Sequence, residues 1–155
     1  MQNLSQGRAY RNGIYPQSLN NSRVSTSSVD MLKFKRAIFT LYIGAISAGS
    51  VSAWLQESAD DSSWTDNDTA GAFSGGGGTN VSKTAMVTSS TIALFEVRAE
   101  MMTSGKRYCR LQVKETAASA TIVSATAEGS YADHSPASGQ NGTHLATNGS
   151  INVVT

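Results

Sequence analysis

The sequence predicts an all-β protein: a single β-sandwich, with a jelly roll as one arrangement that its strand count allows. Three observations predict it. Two stretches, 50–66 and 95–115, alternate apolar and polar residues with a period of two around turns rich in Asp, Ser or Gly. The composition is 39% hydrophobic and only 15% charged, with Ser and Thr filling much of the difference. Typical soluble averages are about 45–50% and about 25%. Finally, no segment has the 3.6-residue period of an amphipathic helix of ordinary length.

Taken in order, residues 1–28 are rich in Asn, Ser, Gln, Gly and Arg and show no period. They are expected to form an extended or disordered N-terminal arm. The run R-A-I-F-T-L-Y-I at 36–43 is apolar on both faces, which predicts a central strand covered on both sides. Residues 44–49 form a turn. In 50–58, Val51, Ala53, Leu55 and Glu57 share one face and Ser52, Trp54, Gln56 and Ser58 the other. The A-D-D-S-S turn at 59–63 returns the chain into a strand at 64–66, so 50–66 reads as a hairpin. Trp54 and Trp64 are expected to pack on neighbouring strands and fix the register.

Residues 67–90 contain four consecutive glycines, Gly75 to Gly78, and read as a long loop with one short strand near 83–87. Residues 91–99 form a strand, and 100–104 a helical turn stopped by Gly105. In 106–115, Arg107, Cys109, Leu111 and Val113 share a face, so 95–115 reads as a second hairpin. Residues 120–127 add a strand of small residues. From Gly129 the chain is a polar tail that closes on I-N-V-V-T. About six to eight strands, long connections and a core of roughly 100 residues, 29–128, favour the sandwich. Few large apolar side chains fill that core, so oligomerisation is expected to supplement it.

Net charge is +1, and no attraction of the whole molecule to nucleic acid or membrane is expected. Locally, Arg8, Arg11, Arg23, Lys33, Lys35 and Arg36 face only Asp30. Together with Tyr10 and Tyr15, the residues Arg8, Arg11 and Arg23 are the candidate partner-binding set, suited to an acidic surface. A single cysteine, Cys109, excludes an intrachain disulfide. The first residues lack the apolar core of a signal peptide, which predicts synthesis in a cytoplasm without export.

No catalytic residue, metal or cofactor is assigned, and no enzymatic activity is expected. The glycine run lacks the Gly-Lys-Ser/Thr ending of a phosphate loop. Cys109 shares a face with Leu111 and Val113, so it reads as a small buried hydrophobe and not as a nucleophile. Asp133, His134 and His144 match no zinc spacing. Asp60, Asp61, Asp66 and Asp68 lack the pattern of a calcium loop and read as turn residues. Glu57, Glu96 and Glu115 have no spacing that pairs them for glycoside hydrolysis. Trp54, Trp64 and Tyr108 could stack on sugar rings, with hairpin packing as their ordinary role.

Two motifs, L-Q-E-S-x-D-x-S-x-W-T-D at 55–66 and E-V-R-A-E-x-x-x-x-G-K-R-Y-x-R at 96–110, resemble those of small structural proteins of tailed bacteriophages. These are capsid decoration, or cement, proteins and related minor head proteins. The resemblance covers about 100 residues, roughly one domain. The glycine-rich loop and the tail beyond Gly129 fall outside it. It implies a virion protein on the head exterior, assembled in the host cytoplasm. Its partner would be the major capsid protein, and its own state an oligomer, with a trimer favoured. Polar arms lying across several capsid subunits would add avidity. Cutting away 1–28 is then expected to weaken attachment without unfolding the domain. The alternative is a tail- or fibre-associated β module that binds a host-surface glycan.

Overall fold

A computed structural model describes residues 8–67, 84–86, 90–116 and 120–132. Ten strands are described: β1 (Arg8–Leu19), β2 (Arg23–Ser25), β3 (Val29–Asp30), β4 (Phe34–Ile43), β5 (Val51–Ser58), β6 (Trp64–Asn67), β7 (Thr84–Met86), β8 (Thr91–Arg98), β9 (Tyr108–Glu115) and β10 (Thr121–Ala132). They form two antiparallel sheets. Sheet A has the order β1-β10-β4-β8 and sheet B the order β2-β9-β5-β6. The pairs nest, β1 with β10, β2 with β9, β4 with β8 and β5 with β6. Cross-pairs β10–β4 and β9–β5 complete the sheets. This is a long antiparallel ribbon rolled on itself, the winding of a jelly roll.

Alternation places the core. In β4, Ala37, Phe39, Leu41 and Ile43 point inward; in β5, Val51, Ala53 and Leu55; in β9, Cys109, Leu111 and Val113. All ten are at most 4% exposed. Close backbone approach fixes two glycines. A Cβ on Gly13 would lie 1.9 Å from the Ala125 carbonyl oxygen, and one on Gly129 would lie 2.6 Å from the Phe34 ring.

Four expectations change. Residues 8–25 are not an arm: β1 and β2 are integral strands, and Ala9, Ile14 and Leu19 are buried. Register shifts at Arg11/Ile14 and Ile14/Gln17 break the period of two, which hid the strand from sequence reading. A cut after residue 28 would therefore remove part of the sandwich. The start of the expected tail also belongs to the body, because β10 runs through Gly129 to Ala132. The second hairpin does not form. β8 pairs with β4 in sheet A, while β9 pairs with β5 in sheet B. The link between them holds a 3-10 turn, Ala99–Met101, and Met101 and Met102 are buried. Lastly, β4 is central but covered on one face only, with Tyr42 43% exposed.

Two buried glutamates lock two of the crossings between the sheets. Glu57 and Glu115 point inward at the ends of β5 and β9 and are 1% and 0% exposed. Glu57 Oε1 accepts the Thr103 N–H at 2.9 Å, within the link from β8 to β9. Glu115 Oε2 accepts the Asn21 N–H at 2.6 Å, within the link from β1 to β2. Both links pass from sheet A to sheet B. Each buried carboxylate accepts from a backbone N–H of its link, a bond that an apolar residue could not make.

Candidate functional site

The outer face of sheet B is a cross-strand network built from both motifs. The register sets Trp54 opposite Gln112, Gln56 opposite Arg110, and Asp66 opposite Gln56. Asp66 Oδ1 accepts the Trp54 indole N–H at 3.0 Å and also the Gln56 side-chain amide. Gln56 Oε1 in turn accepts Arg110 Nε at 2.7 Å. The Arg110 guanidinium lies 4.0 Å from the centroid of the Trp64 ring, and that of Arg23 lies 5.7 Å from the Trp54 ring. Lys106 Nζ donates to Thr65 Oγ1 at 3.1 Å. Trp54, Gln56 and Gln112 end 1%, 6% and 7% exposed, although they point away from the core.

The same motifs order the turns. Asp60 accepts the Ser62 and Ser63 N–H groups at 3.0 and 2.8 Å. These bonds, the Ser63 one foremost, hold its carboxyl well below the ordinary carboxylate range. Arg107 grips Asp30 with two donors, Nε at 2.8 Å and Nη2 at 2.6 Å. Burial pushes the Asp30 carboxyl up, but the Arg107 fork and the Leu32 N–H together outweigh it and hold the group below its usual value.

The outer face of sheet A is divided along the strands. At one end Arg36 pairs with Glu96 at 2.7 Å and Arg8 with Glu128 at 3.3 Å. At the other, Tyr42 lies opposite Ile92, with Leu94 and Ile122 nearby. Ile92, Leu94 and Ile122 are 60–67% exposed. Beside this patch, the outer edge of β8 has no partner strand among the described residues. The other edges are interrupted. β1 carries its register shifts and Pro16. β2 and β3 share the edge of β9 with a break between them. β9 occupies one edge of β5 throughout, so β6 and β7 share the other, on either side of residues 68–83. Such interruptions are how edges resist pairing with other chains; β8 has none.

The predicted partner-binding residues are spread out. Arg8 lies in the ion-paired end of sheet A. Tyr15 is 64% exposed on β1. Arg23 covers Trp54 on sheet B. Tyr10 and Arg11 are brought to a cleft of about 340 Å³. Asn12 and the segment from Thr26 to Ser28 form one wall; Asp61, Trp64 and Arg110 form the other. Arg11 is held there by donating Nε to the Ser28 carbonyl at 3.0 Å. Sequence reasoning missed Arg110, Asp61 and Ser27 as members of this cleft. They come from separate strands and turns, and only the R-Y-x-R end of the second motif marked Arg110.

Cys109 is fully buried, and burial pushes its thiol far above the ordinary range. Trp54 is buried, while Trp64 and Tyr108 are half-buried beneath Arg110 and Arg107, so the three do not form one open aromatic groove. Asp133, His134, His144, Asp68 and the glycine run lie outside the described residues. Among the described residues, no group of three or more His, Cys, Asp or Glu could hold a metal ion.

No protein-family model matches this chain, and no curated protein matches it. Among solved structures it is similar to a chain of the Bacillus endospore appendages, described as a novel family of disulfide-linked pili. Identity is 13% and the TM-score 0.43, over 85% of this chain and 98% of that one.

Proposed function

We propose that this chain is a structural protein of a tailed-phage head, a cement protein attached to the outside of the capsid. It attaches through the outer face of sheet A. The observation that carries this reading is the uninterrupted β8 edge beside exposed Ile92, Leu94, Tyr42 and Ile122. An exposed apolar patch next to a strand edge with no partner strand among the described residues suits strand addition: main-chain hydrogen bonds supply affinity, and alternate side chains supply specificity. The rest of the body is stiff, because the motif residues bind one another across strands. The major capsid protein is the proposed partner, on the strength of the two motifs. An oligomer, with a trimer as its first candidate, would multiply modest contacts.

The experiment is to add the purified protein to expanded heads that lack it and measure co-sedimentation. Saturable binding by the wild-type protein, lost in the double variant Ile92→Lys, Leu94→Lys, is the expected result. Failure of the wild-type protein to bind would overturn the reading.

A further inference from the structure

The cleft between β1 and the β5–β6 turn has a chemistry that attachment through β8 leaves unused. It lies beside β1, at the opposite edge of sheet A from β8. Its volume, about 340 Å³, is at the small end of ligand sites. Two kinds of polar group converge there. Arg11 and Arg110 bring two guanidiniums. Asp61, Asn12 and Ser27 bring acceptors and donors suited to hydroxyl groups. Tyr10, 47% exposed, and Trp64, whose ring lies 4.0 Å beneath the Arg110 guanidinium, also line it.

We infer that this cleft binds a sugar acid: a saccharide unit bearing one carboxylate among several hydroxyls. The guanidiniums match the carboxylate, since Arg presents a planar fork of donors. Asp61 decides between ligand classes. It accepts hydrogen bonds from hydroxyls but repels a second carboxylate, so a run of acidic peptide side chains fits worse than a hydroxyl-rich ring with one charge. The Trp64 ring holds the Arg110 guanidinium against the cleft by cation–π stacking. Burial already pulls the Arg110 guanidinium below its ordinary value, and Asp61 and Asp66 partly offset this. A bound carboxylate would act in the same direction as those acids.

The site stands apart from head attachment. A failure of capsid binding leaves it untouched, and its own failure leaves capsid binding untouched. The test is a titration of the full chain, followed by amide and indole N–H resonances, with three probes: methyl glucuronide, methyl glucoside and N-acetylglutamate. Saturable shifts at Tyr10, Ser27 and Trp64 are expected with the glucuronide. Affinity should fall roughly tenfold or more, about 1.4 kcal/mol, for the neutral glucoside and for N-acetylglutamate. Arg11→Ala should weaken the glucuronide by a similar factor, and Tyr10→Ala, at an exposed position, should weaken it with an unchanged melting temperature. No shifts with the glucuronide, or equal affinity for the glucoside, would overturn the inference. So would N-acetylglutamate binding as tightly as the sugar acid, which would make this a site for any carboxylate.

Discussion

The outer faces of the two sheets differ in a direction opposite to their polarity. Sheet B turns Trp54, Gln56 and Gln112 outward, and all three are buried. Sheet A turns Ile92, Leu94 and Ile122 outward, and all three are exposed. The difference lies in what each face can do for itself. On sheet B, amide, carboxylate, guanidinium and indole groups bind across three strands, and the long side chains lie flat over their neighbours. On sheet A, the apolar end has no directional partner among the described residues, and such side chains gain little until another surface removes them from water. A polar face can thus be structural while an apolar face stays open for assembly.

That contrast predicts a ranking of substitutions. Trp54→Ala should cost the most, about 3–5 kcal/mol, because it empties a buried site and leaves Asp66 without its indole donor. Urea denaturation measures this; a loss below about 1 kcal/mol would mean that the sheet B network is decoration. Next comes acid sensitivity. Asp30 is held below its unfolded value, so the unfolded state binds more protons as the pH falls. Its contribution is complete above the unfolded carboxylate pKa of about 4 and is lost as the pH falls through the lower folded value. Wild-type protein should therefore exceed Asp30→Asn in stability at pH 7, and the gap should narrow at pH 3. A gap that stays constant would show that the Arg107 pair is not the cause. Smallest is Leu94→Lys on sheet A, expected to change stability by no more than about 0.5 kcal/mol. A large loss there would place Leu94 in the folded body and remove the case for an attachment surface.

Legibility followed regularity. β5 and β9 were readable with their facing sides because their alternation is unbroken, and Cys109 fell on the buried face as read. β1 was not readable, because its register shifts place Ala9, Ile14 and Leu19 inward at spacings of five. The hairpin at 95–115 misled for another reason. Alternation reports which side chains share a face, not which strand lies alongside, and Met101 and Met102 mark a crossing only once the two sheets face each other. The cleft was the least visible feature. Tyr10 and Arg11 stood out as a basic, aromatic pair, but Arg110 and Asp61 join them through the rolled topology.

The amino-acid order by itself determined the class of fold and the inward faces of its regular strands, since a period of two is a local property of the chain. It also determined the turn at Asp60, whose hydrogen bonds span only a few residues. Tertiary structure alone decided the jelly-roll winding, the two glutamate-locked crossings, the position of β8 at the edge of sheet A and the cleft. Each of these depends on segments distant in sequence meeting across or between sheets, and no local pattern encodes which distant segment that will be.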